Sequence, residues 1–143
     1  MNDHIREFIT KQRVSSICCI DQDDNPYCFS CFYSVNAEQG LLYFKTSPDS
    51  HHSQLIKGGP RIAGTICPDK LNPLNIQGIQ FTGEILPAEH MLAKNASRQY
   101  HKKYPIALAI SGDVYTVRLD FIKMTERGKK LIWKREKYED VSK

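Results

Sequence analysis

The hydrophobic positions in the first part of the chain follow a helical period and then a strand period. Ile5, Phe8 and Ile9 recur at helical spacing, which predicts a short amphipathic helix over about the first dozen residues. Val14–Ile20 is apolar and β-branched, and residues 27–35 alternate strictly between two faces, the first of which is rich in aromatic residues. Both segments are therefore predicted strands, and the Asp-rich turn between them joins them as a hairpin.

The rest of the chain is predicted to alternate between strands and short helices. Strands are predicted at 41–44, 61–67, 76–86, 106–110, 114–124 and 130–134, and helices at 50–57 and from residue 87 to about residue 103. A barrel of six or seven of these strands, at hairpin-like spacing, is favoured: a mainly β fold that is closed or nearly closed, antiparallel and accompanied by short helices. A parallel sheet is disfavoured because too few strands are separated by a helix long enough for a crossover.

Composition narrows the class of protein. With 143 residues, of which 41% are hydrophobic and 25% charged, the chain is typical of one globular domain, which we expect to span residues 1–143. No apolar run approaches the roughly 18 residues of a membrane-spanning helix. Charged residues stand in the first ten positions, where a signal peptide would be apolar. We therefore expect a cytoplasmic protein that does not associate with membranes.

The cysteines predict neither a disulfide framework nor a metal site. Their number is five, so at least one is unpaired, and Cys18, Cys19 and Cys67 lie in short apolar runs. We expect reduced, mostly buried thiols. Cys28 and Cys31 have CxxC spacing, but on a strand this spacing points the two sulfurs to opposite faces, which disfavours chelation of a metal by this pair.

The excess of positive charge is confined to the C-terminal part of the sequence. The formal charge is +4, and residues 118–143 contain 9 basic and 5 acidic residues, which accounts for all of it. A basic region of this kind is one feature of nucleic-acid binding. The residues that would provide it are Arg118, Lys123, Arg127, Lys129, Lys130 and Lys134. A balance of +4 is low for that function, so nucleic acid is the weaker alternative.

A group of polar side chains stands where a predicted strand passes into a predicted helix. Lys45 and Thr46 end the strand, and Ser50, His51 and His52 begin the helix. Backbone N–H groups at such a junction already favour phosphate, and hydroxyls, imidazoles and an ammonium would add to the site. The alternative is a polar turn in which Ser50 is a plain N-cap and the two histidines are exposed.

Several segments together resemble the pyridoxamine 5'-phosphate oxidase-like family of FMN-binding split barrels. The similarity is greatest to its small bacterial members, whose substrates are largely unassigned, and it covers nearly all of the chain. The segments that carry it are GLLYFKTS at 40–47, SHH at 50–52, IAGTI at 62–66, QGIQFTGE at 77–84, FIKMT at 121–125 and KLIW at 130–133.

The resemblance implies a homodimer in which FMN sits at the subunit interface and is contacted by both chains. It implies an FMN-dependent oxidoreductase that acts on an unidentified small molecule, with reduced nicotinamide or another electron donor. The flavin performs the redox chemistry in such a protein, so no catalytic side chain is expected.

The resemblance also implies which residues hold the cofactor. Those that match the family's flavin contacts are Ser30, Cys31, Phe32 and Tyr33 on the strand facing the isoalloxazine ring, Lys45 and Thr46 beside the ribityl phosphate, Ser50, His51 and His52 at the phosphate, and Gln77 and Gln80 at the flavin edge. Family members commonly have Arg or Lys at the position of His51 or His52. Histidine is neutral for much of the time near pH 7, so this departure bears directly on phosphate binding and on flavin affinity.

Three alternatives stay open at the level of the sequence. The domain could bind a flavin or haem without turnover, it could take a deazaflavin in place of FMN, or it could be a small basic barrel that binds nucleic acid through the residues named above. A visible absorption spectrum separates flavin from haem, and salt-dependent binding is the sign of nucleic acid.

Overall fold

The computed structural model describes residues 1–56 and 59–136 of the chain. Its helices are α1 (Asp3–Lys11), α2 (His51–Ile56) and α3 (Ala96–Lys103), with two 3₁₀ turns at Met91–Ala93 and Pro105–Ala109. Its strands are β1 (Val14–Ile20), β2 (Pro26–Asn36), β3 (Leu41–Thr46), β4 (Arg61–Ile66), β5 (Gln77–Leu86), β6 (Asp113–Glu126) and β7 (Lys129–Lys134). Residue 57 of the second predicted helix and the end of the basic segment lie outside the described residues. Within the described ranges, no helix combines the length and the apolar character needed to cross a membrane.

Six of the strands close into an antiparallel barrel. They follow the order β3–β2–β1–β4–β5–β6, and the pairing of β3 with β6 joins the two ends of the sheet. Leu41 pairs with Arg118 and Thr46 with Asp113, so the closing contact runs along the whole of β3. β7 adds to β6 as a seventh strand outside the ring. The prediction of a mainly β, antiparallel barrel with short helices is confirmed.

One edge of β6 pairs with two strands in succession. β3 pairs with residues 113–118 of β6, and β7 pairs with residues 121–126 of β6. Arg135, which follows β7, lies at the junction: its Nε donates to the carbonyl oxygen of Leu119 (2.8 Å), and its Nη2 donates to those of Gln39 (2.7 Å) and Gly40 (2.9 Å). These charge-assisted hydrogen bonds hold the start of β3 beside the end of β7.

The inside of the barrel is filled by alternate side chains of its strands, as the two-residue period of a strand requires. Tyr33, Phe44 and Phe81 are among the largest side chains that are fully buried there. Gly64 on β4 makes room for the Phe81 ring, since a Cβ at Gly64 would lie 2.3 Å from that ring and 2.5 Å from the carbonyl oxygen of Ser16.

Two helices close the ends of the barrel. α1 buries Ile5, Phe8 and Ile9 against one end, as their spacing predicts, and the Tyr33 hydroxyl donates a 2.6 Å hydrogen bond to the carbonyl oxygen of Ile9. α2 lies at the other end, where Ile56 joins the same core. α3 packs outside the barrel over β3. The smaller apolar cluster beneath it consists of Leu41, Tyr43, Leu86, Ala96, Tyr100 and Ala107.

The strand predicted at 106–110 is wrong. Pro105 begins a 3₁₀ turn in which the N–H groups of Ala107 and Ile110 donate to carbonyls three residues earlier. Proline fixes φ near the helical value and lacks the N–H that a sheet ladder needs. The apolar side chains of this segment mimic a strand, but Ile106 is 84% exposed.

The single helix predicted from residue 87 to about residue 103 is wrong in its first half. A 3₁₀ turn stands at Met91–Ala93, and α3 begins only at Ala96. His90 interrupts the helix because its Nδ1 accepts a 3.0 Å hydrogen bond from the N–H of Leu92, which makes it the N-cap of the turn.

The prediction that the cysteines are mostly buried is also wrong. Cys19 is buried, Cys18 and Cys31 are half-buried, and Cys28 and Cys67 are exposed, all five as free thiols. Strand alternation turns Cys18 and Cys28 to the outer face of the sheet, where no inward packing covers them. Cys31 packs inward against the core, so the sulfurs of the CxxC pair do face opposite ways, as the spacing predicts.

We predict that Gly64→Ala lowers the free energy of unfolding by about 3 kcal/mol, because the methyl group collides with a ring and a backbone oxygen inside a closed barrel. Gly78→Ala on β5 is the matched control, since its nearest neighbour is a carbonyl oxygen at 3.3 Å. Urea denaturation measures both variants. Equal unfolding midpoints would show that the Phe81 ring yields to the added methyl group.

Candidate functional site

Three polar side chains converge where β3 ends and α2 begins. The Thr46 and Ser50 hydroxyl oxygens lie 3.0 Å apart, and the Thr46 hydroxyl also contacts Nε2 of His52. We call Thr46, Ser50 and His52 the Thr46 cluster. Ser50 is anchored in turn, because its hydroxyl donates a 2.7 Å hydrogen bond to the carbonyl oxygen of Ser47.

The aromatic residues of β2 support the two histidines. The His52 ring stacks on Phe29, with ring centroids 4.0 Å apart and planes 10° apart, and Phe29 contacts Phe44 on β3. The His51 ring meets Tyr27 edge to face at 4.8 Å. Phe29 and Tyr27 alternate along the inward side of β2, so the predicted strand pattern also provides the surface on which α2 places its first two side chains.

His52 is held in its neutral form. Desolvation, followed by the neighbouring His51, lowers the pKa of His52 below its ordinary value of 6.5. At neutral pH the Thr46 cluster therefore presents two hydroxyls and an uncharged imidazole. Protonation of His52 would add a positive charge at the same point.

Lys45 belongs to a different group of side chains. Strand alternation turns it to the opposite face of β3 from Thr46. Its ammonium donates a 2.7 Å hydrogen bond to the carbonyl oxygen of Ala107 and lies 3.0 Å from Nε2 of His101 on α3. The structure does not bring this ammonium to the Thr46 cluster, although the two residues are adjacent in the sequence.

The four predicted flavin contacts on β2 divide between the two faces of the strand. Ser30 and Phe32 are exposed on the outer face, whereas Cys31 and Tyr33 point inward. Burial raises the pKa of Cys31 to about 12 and also raises the pKa of Tyr33. Only the backbone of Cys31 and Tyr33 is available to a ligand on the outer face.

The two predicted glutamines of β5 lie at different places. Gln80 is exposed and lines a shallow groove of about 490 Å³ on the outer face of the sheet. Gln77 faces α1 and pairs with Glu126. The residues that line the groove are Ser16, Cys18, Cys28, Ala63, Gly64, Thr65, Gln80, Phe81, Thr82 and Phe121.

Sequence reasoning misses the aromatic support of the histidines and the two groove cysteines. A signal for the first exists, because Tyr27 and Phe29 are the aromatic residues nearest the start of β2. The groove cysteines are harder to predict. The hairpin implies that residues of β1 and β2 face each other in pairs, but the register of the turn decides which residues are paired.

Arg118 is poorly placed to bind nucleic acid. Its side chain is 12% exposed, and its Nη2 lies 3.3 Å from a carboxylate oxygen of Glu84. Asp120 also lies near its guanidinium. The positive charge of Arg118, the first of the basic residues named for nucleic-acid binding, is therefore paired with carboxylates within the protein.

We predict that Phe29→Leu raises the pKa of His52 toward 6.5, because loss of the stacked ring lets water reach the imidazole. Phe32→Leu, on the outer face of the same strand, should leave that pKa unchanged. Titration of the histidine ring protons by NMR measures both variants. If Phe29→Leu leaves the titration of His52 where it was, the ring is not what desolvates it.

Comparison with known proteins places the chain in a family of related sequences, although no family profile matches it. It is 32% identical over 135 residues to UPF0306 protein plu4501 of Photorhabdus laumondii, covering 92% of this chain and 94% of that protein. It is 33% identical over 135 residues to UPF0306 protein YhbP of Escherichia coli, covering 92% of this chain and 96% of that protein.

Solved structures show the fold that this chain shares. A haem-binding protein of Mycobacterium smegmatis superposes with a TM-score of 0.77 at 14% identity, over 90% of this chain and 55% of that one. An FAD-binding protein of Mesorhizobium loti gives a TM-score of 0.67 at 14% identity, over 88% and 95%. A pyridoxinephosphate oxidase family protein of Clostridium acetobutylicum gives 0.63 at 11% identity, over 92% and 92%. The fold is thus that of the split barrels, and by sequence the chain belongs to the UPF0306 family.

Proposed function

We propose that this chain is a flavin-binding protein that holds the phosphate of FMN at the Thr46 cluster and acts as an oxidoreductase. The observation that carries the proposal is the convergence of two hydroxyls and an imidazole from two elements at one end of the barrel. Structural similarity to an FAD-binding protein and to a pyridoxinephosphate oxidase family protein supports it.

The donor set of the Thr46 cluster fits a phosphate monoester. On phosphate binding, the Ser50 hydroxyl would exchange its hydrogen bond to the carbonyl oxygen of Ser47 for one to a phosphate oxygen. The Thr46 hydroxyl would donate to a second oxygen, and His52 would donate from Nε2 in the tautomer that carries its proton there. A dianion beside His52 also favours the imidazolium, which adds a charge-assisted hydrogen bond. The Lys45 ammonium takes no part, because it is engaged at Ala107 and His101.

The outer face of the sheet offers a surface for the flavin ring. Ser30 on β2 and Gln80 on β5 are exposed there, and the side chains between them are small. Small side chains let a flat ring approach the backbone, while the Gln80 amide can hydrogen-bond to the edge of the ring. When bound, FMN would supply the acceptance and donation of electrons, and these residues would orient it.

The substrate is proposed to be a small molecule of unidentified structure, with reduced nicotinamide or another electron donor. The inward-facing Cys31 and Tyr33, with raised pKa values, are poorly suited to exchange protons with it near neutral pH. The protein would therefore act mainly by positioning the flavin, as expected of a flavin site with no catalytic side chain.

We also propose that two copies of the chain form a homodimer around the flavin. Val14 and Phe32 are cross-strand partners on the outer face and are 42% and 53% exposed, and the Phe32 ring contacts Tyr104. Exposed apolar side chains that adjoin one another are typical of a surface that a partner covers. A second copy would bury this patch and complete a site that one chain leaves open on one side.

Haem is the second candidate ligand, and His51 is the observation that favours it. Its side chain is exposed and its ring packs edge to face on Tyr27, so His51 is the residue that would hold the haem iron. The similarity to the M. smegmatis haem-binding protein points the same way. Reconstitution with haemin distinguishes haem from FMN as the ligand. If haem binds, the protein should show one intense violet absorption band, and His51→Ala should alter that band.

We predict that Thr46→Ala and Ser50→Ala weaken FMN binding by about 1.5 to 3 kcal/mol each, because each removes a hydrogen bond to a charged acceptor. Riboflavin, which lacks the phosphate, should bind both variants as it binds the wild type. Titrations followed by flavin fluorescence measure both ligands. Neutralising Lys129 and Lys130, which are exposed on β7, is the control and should change little. Equal losses for FMN and riboflavin would place the cluster at another part of the ligand.

We predict that Phe32→Asp shifts the protein toward monomer and lowers its affinity for FMN, because a charge would be buried in the dimer contact. Leu74→Asp, at a loop residue that is 95% exposed, is the matched control. Sedimentation with and without FMN measures assembly. An FMN-bound wild-type protein that sediments as a monomer would contradict the dimer.

A further inference from the structure

Two cysteines face each other across the outer groove. Cys18 on β1 is the cross-strand partner of Cys28 on β2, and both side chains line the groove. The other three thiols are placed elsewhere: Cys19 and Cys31 face the core, and Cys67 follows the end of β4. Cys18 and Cys28 are therefore the two cysteines that share a face at directly opposed positions.

The type of pairing places the two backbones close together. Arg13 and Tyr33 stand opposite each other one position beyond the Val14 and Phe32 pair. The N–H of Tyr33 donates to the carbonyl oxygen of Arg13, so Arg13 and Tyr33 form a hydrogen-bonded pair. Hydrogen-bonded and non-hydrogen-bonded pairs alternate along an antiparallel ladder. In the register of β1 and β2, Cys18 and Cys28 form a non-hydrogen-bonded pair, in which the side chains approach most closely.

This geometry suits a disulfide that forms and breaks readily. Cα atoms of a non-hydrogen-bonded pair lie about 4.5 Å apart, and disulfides span about 4.4 to 6.8 Å between Cα atoms. The pair is within reach of a bond without strand movement, but at the short end of the range. Strained and exposed disulfides are the ones that reduce easily.

The two thiols are close enough to interact, and the Cys28 side chain is exposed to solvent. Partial desolvation, followed by the neighbouring Cys18 thiol, raises the pKa of the Cys28 thiol. Exchange with an external disulfide will therefore be slow at neutral pH and faster in mildly alkaline solution, where more thiolate is present.

We propose that Cys18 and Cys28 form a reversible cross-strand disulfide in the outer groove by exchange with a low-molecular-weight disulfide. The Cys28 thiolate attacks one sulfur of the external disulfide, which forms a mixed disulfide and releases one external thiolate. The Cys18 thiolate then attacks the Cys28 sulfur and releases the second external thiolate. Two protein thiols lose two protons and two electrons, and the external disulfide is reduced to two thiols.

The disulfide would cross-link β1 and β2 beside Gln80 and would alter the shape of the groove. Its formation does not rest on flavin binding, since it needs only the register of the hairpin and the exposure of Cys28. Failure of the flavin proposal would therefore leave it standing, and its own failure would leave the Thr46 cluster untouched.

The test uses the full-length reduced protein and glutathione disulfide near the ordinary thiol pKa of about 8.5. Remaining thiols are alkylated, and the protein is analysed by mass spectrometry. Cleavage at the aspartates of the turn separates Cys18 from Cys28, and fragmentation of the joined peptides identifies the bonded residues. We expect loss of two hydrogen atoms, three alkylated cysteines in place of five, and a bond between Cys18 and Cys28 that dithiothreitol reverses.

Single substitutions make the assignment specific. Cys18→Ser and Cys28→Ser should each abolish the internal bond, and the thiol left in Cys18→Ser should accumulate a mixed disulfide with glutathione. Cys67→Ser, which removes the other exposed thiol, should leave the bond unchanged. Wild-type protein that collects only glutathione adducts, or whose bond maps to other cysteines, would overturn the proposal.

Discussion

The pairing of β3 with β6 is the constraint on which the rest of the structure depends. It converts a sheet with two open edges into a ring, and it fixes the end of β3 against the start of β6 through the pair Thr46 and Asp113. Closing a sheet removes the unpaired backbone groups of its edges. Gly112 allows the approach, since a Cβ there would lie 2.8 Å from the carbonyl oxygen of Thr46. The backbone of Thr46, on which the site is built, is therefore fixed by the pairing of β3 with β6.

Closure also explains why neighbouring residues have different roles. Inside the ring, Phe44 and Thr46 share a face with the ring of Phe29, which lies under His52. On the outside, Lys45 joins α3 and the turn at Pro105–Ala109. The result is a polar cluster with little charge of its own, in which desolvation keeps His52 neutral. Such a cluster gains a positive charge only when an anionic ligand favours protonation of His52, whereas an Arg or Lys would carry the charge permanently.

Much of the fold is predictable from local pattern, because the barrel strands alternate and α1 has helical periodicity over Ile5, Phe8 and Ile9. The segment 105–110 is not, since its apolar residues are exposed and the proline decides its conformation. Within the site, the closeness of Thr46, Ser50 and His52 follows from their short separation. Lys45 lies on the opposite face of β3 from Thr46, and Cys18 lies opposite Cys28 across the hairpin. Both placements follow from strand faces and register, which local sequence specifies only weakly.

The central claim is that the phosphate of FMN lies on the Thr46 cluster, and the histidine side chains report on it most directly. Protein labelled with ¹⁵N at histidine is titrated with FMN and, separately, with riboflavin, and the ring nitrogens are followed by NMR. FMN should move the ring nitrogens of His52 toward their imidazolium values, riboflavin should not, and His101 beside Lys45 should stay unchanged. A response at His101 with none at His52 would place the phosphate on the opposite face of β3 and contradict the account.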